Sequence, residues 1–237
     1  MEFQIAPDVL ARFPGIEIHA FRAQGFLAHA GKLDHAAALR AAVARVGTLG
    51  IDKEKLAAYP PIARWREAYA ALKVRPSAFR ASIESLLRRA LGGADLALPI
   101  ASVNLYNAVS LDTLAPMGAY DMAKLPREPM LMRFADPVKD RFTPLGGKAE
   151  DFPLNKDLVV YAGGNTVLCW GFNHRDNVET ALDAKSDDIV FFSEALNPED
   201  GMRSAKAVAE VRARLAEIGV VCSDPVRADR AQPGFSL

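Results

Sequence analysis

Residues 103 to 121 read Val-Asn-Leu-Tyr-Asn-Ala-Val-Ser-Leu-Asp-Thr-Leu-Ala-Pro-Met-Gly-Ala-Tyr-Asp. The segment is apolar enough to pack in a core, yet it crowds in amides, hydroxyls, carboxylates and two tyrosines. Buried polar groups cost stability unless each finds a partner, so a mixture of this kind is often kept for a site. Its first half, residues 101 to 111, fits a short helix, and Ala115-Pro116-Met117-Gly118 fits a loop.

Before this joint the pattern is mainly helical. Residues 16 to 21 alternate as a half-buried strand after the turn signal Pro14-Gly15. Residues 35–46, 62–72 and 77–91 place apolar side chains at helical spacings, and the last run stops at Gly92-Gly93. After the joint, residues 129–134, 158–161, 166–170 and 189–192 are rich in branched and aromatic residues and read as strands, with Gly163-Gly164-Asn165 as a hairpin turn. A helix over 199–218 and a short strand over 220–222 follow, and residues 224–237 lack periodicity and read as an irregular tail. Helices on either side of non-alternating strands predict an α+β fold, mixed sheets packed with helices under a helical N-terminal layer. One domain spans 1–237, divided into 1–61, a core over 62–222, and the tail over 223–237.

Half of the 237 residues are hydrophobic, enough for a sizeable core. Twenty-nine basic residues balance 29 acidic ones, so there is no global field to attract nucleic acid or an acidic membrane. No apolar run reaches membrane-spanning length and the first residues do not resemble a signal peptide; the cytoplasm is the expected compartment, with no membrane partner. Cys169 and Cys222 are far apart, and the four histidines have no metal-ligand spacing, so neither a disulfide, a metal nor a cofactor is expected. Both cysteines read as buried thiols.

Residues 64 to 89 carry Arg64, Arg66, Lys73, Arg75, Arg80, Arg88 and Arg89 against Glu67 and Glu84. That excess suits either a solvated helix face or a surface that neutralises phosphates. Trp65, Tyr69 and Phe79, at helical spacing among them, fit a core better than stacking platforms. The cluster Asn173-His174-Arg175-Asp176-Asn177 fits a polar turn between strands or a pocket wall in which Arg175 clamps a carboxylate or phosphate. Glu194, at the end of an apolar run, fits a surface carboxylate or one placed to bind an amino group or orient water. Phosphate-loop, dinucleotide and serine-hydrolase motifs are missing.

In series, Trp65-Arg66-x-x-Tyr69, Pro76-Ser77, Ser85 to Arg89, Leu98-Pro99, Asn104-x-Tyr106-Asn107-x-Val109-Ser110-Leu111 and Pro116-x-Gly118-x-Tyr120-Asp121 resemble the tRNA-binding editing domain of the phenylalanyl-tRNA synthetase beta chain, its third and fourth modules, in freestanding form. Leu131-x-Arg133-x-Ala135, Leu158 to Tyr161, Cys169-Trp170, Arg175 with Thr180, and Phe192-x-Glu194-Ala195 continue the likeness over roughly residues 62–222. The resemblance implies an α+β module whose sheets and helices enclose a pocket for a mischarged aminoacyl ester. Nothing resembles the synthetase's other modules, so a complete phenylalanine-tRNA ligase is not expected.

By that resemblance Asn107 and Glu194 are the candidate catalytic residues. Gly118, Tyr120, Gly171 and Arg175 are the candidate substrate contacts, and Lys73, Arg75, Arg80, Arg88 and Arg89 the candidate RNA contacts. Bacterial synthetases carry a histidine where this chain has Gly118. Losing an imidazole widens the pocket and predicts a different amino-acid specificity. The implied function is hydrolysis in trans of mischarged aminoacyl-tRNA, with tRNA as partner and no DNA. A non-catalytic tRNA- or RNA-binding module and an amino-acid pocket without RNA are the alternatives.

Overall fold

In the computed structural model, which describes residues 1–237, the chain enters through a strand. β1 (Glu2–Ile5) leads into α1 (Pro7–Arg12), begun by a proline in the first turn, where a missing N–H costs nothing, and then β2 (Glu17–Gln24). The helical layer follows: α2 (His35–Thr48), α3 (Pro60–Ala71), α4 (Ser82–Leu91) and α5 (Ala101–Thr113). Asp34 starts α2 by accepting the Ala37 amide at 2.8 Å, satisfying one of the donors a helix start leaves free.

The remaining elements are β3 (Met117–Asp121), β4 (Met130–Phe134), β5 (Val159–Gly163), β6 (Thr166–Trp170), β7 (Arg175–Asp176), β8 (Ile189–Ala195), α6 (Pro198–Glu217), β9 (Val221–Cys222), β10 (Val226–Ala228) and β11 (Gly234–Ser236). They form two sheets, in the orders β11-β1-β4-β5-β6-β7 and β10-β2-β8-β3. The architecture is α+β, as the pattern predicts.

β8 is buried along its whole length, which explains its near-continuous apolar sequence. Its alternation assigns the faces. Ile189 and Phe191 join the core made with α5 and α6, including Leu105, Val109, Val208 and Leu215. Val190 and Phe192 join the larger core with Phe3, Tyr120 and Tyr161, between the sheets. Two residues beyond Phe192, Glu194 shares that inner face.

Three expectations need correction. The loop over Ala115 to Gly118 is partly strand, since Met117 and Gly118 open β3, paired antiparallel with β8. The reversal is completed earlier, where Leu114 takes a left-handed conformation (φ 58°) and the Ser110 hydroxyl donates to the Ala115 carbonyl at 2.6 Å. β3 is a sheet edge, where glycine after proline is tolerated. The helix over 77–91 begins only at Ser82, because residues 75 to 79 make their own turn and Arg80 is bound to His174.

The tail over 223–237 is not irregular. β10 pairs with β2 and β11 with β1, and Phe235 stacks on Phe3 with ring centroids 4.9 Å apart. Gly234 permits this approach, since a Cβ there would lie 2.5 Å from the Phe3 carbonyl oxygen. Three-residue strands are too short to show alternation and their partners lie at the other end of the chain.

Phe235→Ala is expected to lower unfolding free energy by on the order of 2 kcal/mol, through lost burial and stacking. Denaturant unfolding checks this, and an unchanged midpoint would contradict it.

Candidate functional site

A cavity of about 120 Å³ opens between the sheets and the helical layer. The polar residues of 103–121 divide sharply around it. Asn104 is consumed by the Leu98 backbone, accepting its amide at 2.8 Å and donating to its carbonyl at 2.7 Å. Thr113 donates to the Val109 carbonyl, Asp112 pairs with Arg45 and Arg214, and Asp121 accepts from Ser186. Asn107 lines the cavity, and no hydrogen bond within the chain engages its amide.

Alternation selects the strand residues that reach the cavity. On β3 these are Gly118 and Tyr120, while Ala119 faces α5 and α6 and Met117, at the strand's start, touches both the cavity and that core. Tyr161 comes from β5, Cys169 from β6 and Glu194 from β8. Across β6 and β7, Cys169 stands opposite Asp176 and Trp170 opposite Arg175. Asp176 therefore faces the cavity and Arg175 does not.

Glu194 is 5% exposed, and Asn173 donates to its Oε2 at 2.6 Å. Asn173 Oδ1 accepts the Ser82 amide at 2.9 Å, so one side-chain amide joins the start of α4 to β8. Burial pushes the Glu194 carboxyl up to about 7, against the hydrogen-bonding influence of Tyr161 and Asn173. The Tyr161 hydroxyl faces that carboxyl from β5 and is its second polar neighbour. Burial also raises Asp176 and carries the Cys169 thiol and the Tyr120 and Tyr161 phenols well above their ordinary values. His174 is held below its usual value by burial, and its Nδ1 lies 2.7 Å from the Arg80 carbonyl, which can only accept. It is a neutral wall at neutral pH.

Of the residues singled out from the sequence, Asn107, Gly118, Tyr120 and Glu194 come together in the cavity wall. Gly171 (φ 64°) lies behind it, its carbonyl accepting the Tyr69 hydroxyl at 2.5 Å. Arg175 is turned away as a correction to the clamp reading: its guanidinium donates to the Leu145 carbonyl at 3.0 Å and lies over the Phe152 ring. Of the cluster read as a polar turn or a pocket wall, Asn173, His174 and Asp176 line the cavity although only Arg175 is singled out from the sequence, and Tyr161 carries no site expectation. Asp176 had a legible signal, because in a strand only one of two neighbours can face a pocket.

The basic segment is also divided. Arg64 forms a two-pronged pair with Asp200. Arg66 and Arg88 donate to Oε1 of the fully buried Glu84 at 2.9 and 2.8 Å, with the Arg80 Nε 3.6 Å away. Arg80 and Arg88 thus serve the fold in addition to any surface role. Lys73 pairs with Asp157 on the surface, whereas Arg75 and Arg89 are exposed and make no ion pair.

With that geometry in hand, comparison with known proteins gives the class. The B3/4 domain family matches residues 64–216, and the chain belongs to that family, the one that includes the editing domain of the phenylalanyl-tRNA synthetase beta chain. Among solved structures, an N-terminal fragment of the phenylalanyl-tRNA synthetase beta-subunit from Pyrococcus horikoshii is similar, with a TM-score of 0.47 and 11% identity. The match covers 95% of this chain and 53% of that one, so the chain spans about half the fragment's length. No curated protein matches. No helix is long and apolar enough to cross a membrane.

Two predictions follow from the burial. Between its ordinary 4.5 and about 7 the native Glu194 holds a proton that the unfolded chain releases, so stability falls as pH rises through this window. Glu194→Gln should therefore stabilise the protein by about 2 kcal/mol more at pH 8 than at pH 5; an equal effect at both would contradict it. Glu84→Ala strands three arginines around an empty site and should cost about 3 kcal/mol in denaturant unfolding, whereas a loss under about 0.5 kcal/mol, the range of an ordinary surface change, would show the cluster to be incidental.

Proposed function

We propose that the chain hydrolyses mischarged aminoacyl-tRNA in trans, with the aminoacyl group in the cavity. Charge is the observation that carries the reading. The wall presents the carboxyls of Glu194 and Asp176 and no lysine or arginine. A free amino acid would bring a carboxylate that nothing here neutralises, at a desolvation cost of several kcal/mol. An aminoacyl ester has no carboxylate and keeps its ammonium. This favours an ester over the amino-acid pocket without RNA.

In the reaction, Asn107 holds the aminoacyl group through its free amide. Water attacks the ester carbonyl as Glu194 takes its proton, a role suited to a carboxyl that titrates near the working pH. The ester C–O bond breaks, the ribose oxygen regains a proton, and amino acid and RNA leave. Gly118 leaves space where the family's bacterial synthetases carry a histidine, so a different amino acid is cleared. Arg75 and Arg89, with Lys73, offer charge to the RNA backbone. This supports the tRNA partner, and the compartment is the one in which charged tRNA is used, the cytoplasm.

A panel of mischarged tRNAs tests the proposal. At least one ester should be hydrolysed faster than its spontaneous decay, with the rate rising to a midpoint near pH 7. Asn107→Ala and Glu194→Gln should each lower that rate roughly a hundredfold. Decay of the whole panel at the spontaneous rate would overturn it. RNA binding that survives without hydrolysis would leave the non-catalytic module as the reading.

A further inference from the structure

Resting on the reading that the cavity receives an aminoacyl group, we infer that Asp176 selects a substrate whose side chain carries a second ammonium, an ester of a diamino acid. Glu194 on β8 and Asp176 on β7 face one cavity from different strands. The α-ammonium of an aminoacyl ester can answer one carboxylate. The other has no cation from the protein, because the nearest candidate, Arg175, lies on the opposite face of β7 and is bound to the Leu145 carbonyl.

On the Glu194 side the wall already supplies polar neighbours, Asn173 and the Tyr161 hydroxyl, whereas no cation stands on the Asp176 side. Tyr106, Tyr120 and Phe192 add aromatic rings to the wall, and ring faces together with carboxylates suit an ammonium. Space is present as well: nothing stands within 4 Å of where a Cβ at Gly118 would sit. A neutral aliphatic side chain would leave the second carboxyl desolvated with no cation, and a diamino side chain brings one.

The test compares lysinamide with norleucinamide, which has the same chain length but lacks the second ammonium, by calorimetric titration of the full chain. Lysinamide should bind at least about tenfold more tightly, as expected for a buried charge-assisted contact. Asp176→Asn, nearly the same shape, should reduce that ratio to about twofold or less, with its circular dichroism spectrum showing the fold retained. A parallel assay compares turnover of lysyl- and norleucyl-tRNA. Equal affinities for the two amides, or a preference that survives in Asp176→Asn, would overturn the inference. So would failure of both amides to bind together with equal turnover of the two esters. Asp176-dependent lysinamide binding with no ester hydrolysed would instead overturn the proposed hydrolysis and leave this inference standing. Hydrolysis with no diamino preference would do the reverse.

Discussion

The side-chain amide of Asn173 is the constraint on which the cavity depends. Its oxygen holds the first amide of α4 and its nitrogen holds Glu194 on β8. The segment that bears it leaves β6 through two successive left-handed residues, Gly171 and Phe172. Tyr69 of α3 ties down the carbonyl of the first. Helical layer and both sheets therefore meet at one residue. Without it, Glu194 would be a buried carboxyl left with the Tyr161 hydroxyl alone beside it, a costly arrangement for a core strand.

That cost explains how the site is built. Glu194 occupies a position on β8 whose neighbours on the same face, Val190 and Phe192, are packed core. A carboxyl there is desolvated enough to titrate about where the surrounding solution does, and a group with that property is chemically useful rather than stabilising. Elsewhere the chain handles buried charge differently. Glu84 is surrounded by arginines, and Asp140 receives both nitrogens of the Arg133 fork at 2.8 and 2.7 Å. The two cavity carboxyls are left without such partners, and this contrast within one molecule is what distinguishes site from scaffold.

Much of this was legible in the sequence. The helices read over 35–46 and 199–218, observed as His35–Thr48 and Pro198–Glu217, and the strands around 130, 160, 168 and 190 follow from apolar periodicity, and the family motifs point to Asn107, Gly118, Tyr120 and Glu194, which share the cavity wall. Long-range pairing was hidden: β1, β10 and β11 are short strands whose partners lie far off in the chain, and although Glu2 to Ile5 alternates, four residues are too few to fix a strand or its partner. Burial of individual charges was hidden too. Glu84 reads as an exposed helix residue until Arg66, from another helix, is placed against it. In the pair Arg175 and Asp176 the arginine had the more conspicuous chemistry, and only the register opposite Cys169 and Trp170 shows which one the cavity receives.

The central claim is that the cavity, rather than the basic surface, receives the aminoacyl end. It is tested most directly by a crystal structure of the chain with a minihelix RNA whose 3′ end carries a non-hydrolysable aminoacyl amide. The aminoacyl group should lie inside, within hydrogen-bonding reach of the Asn107 amide and the Glu194 carboxyl. RNA bound along Arg75 and Arg89 with the aminoacyl group in solvent and the cavity unfilled would contradict it.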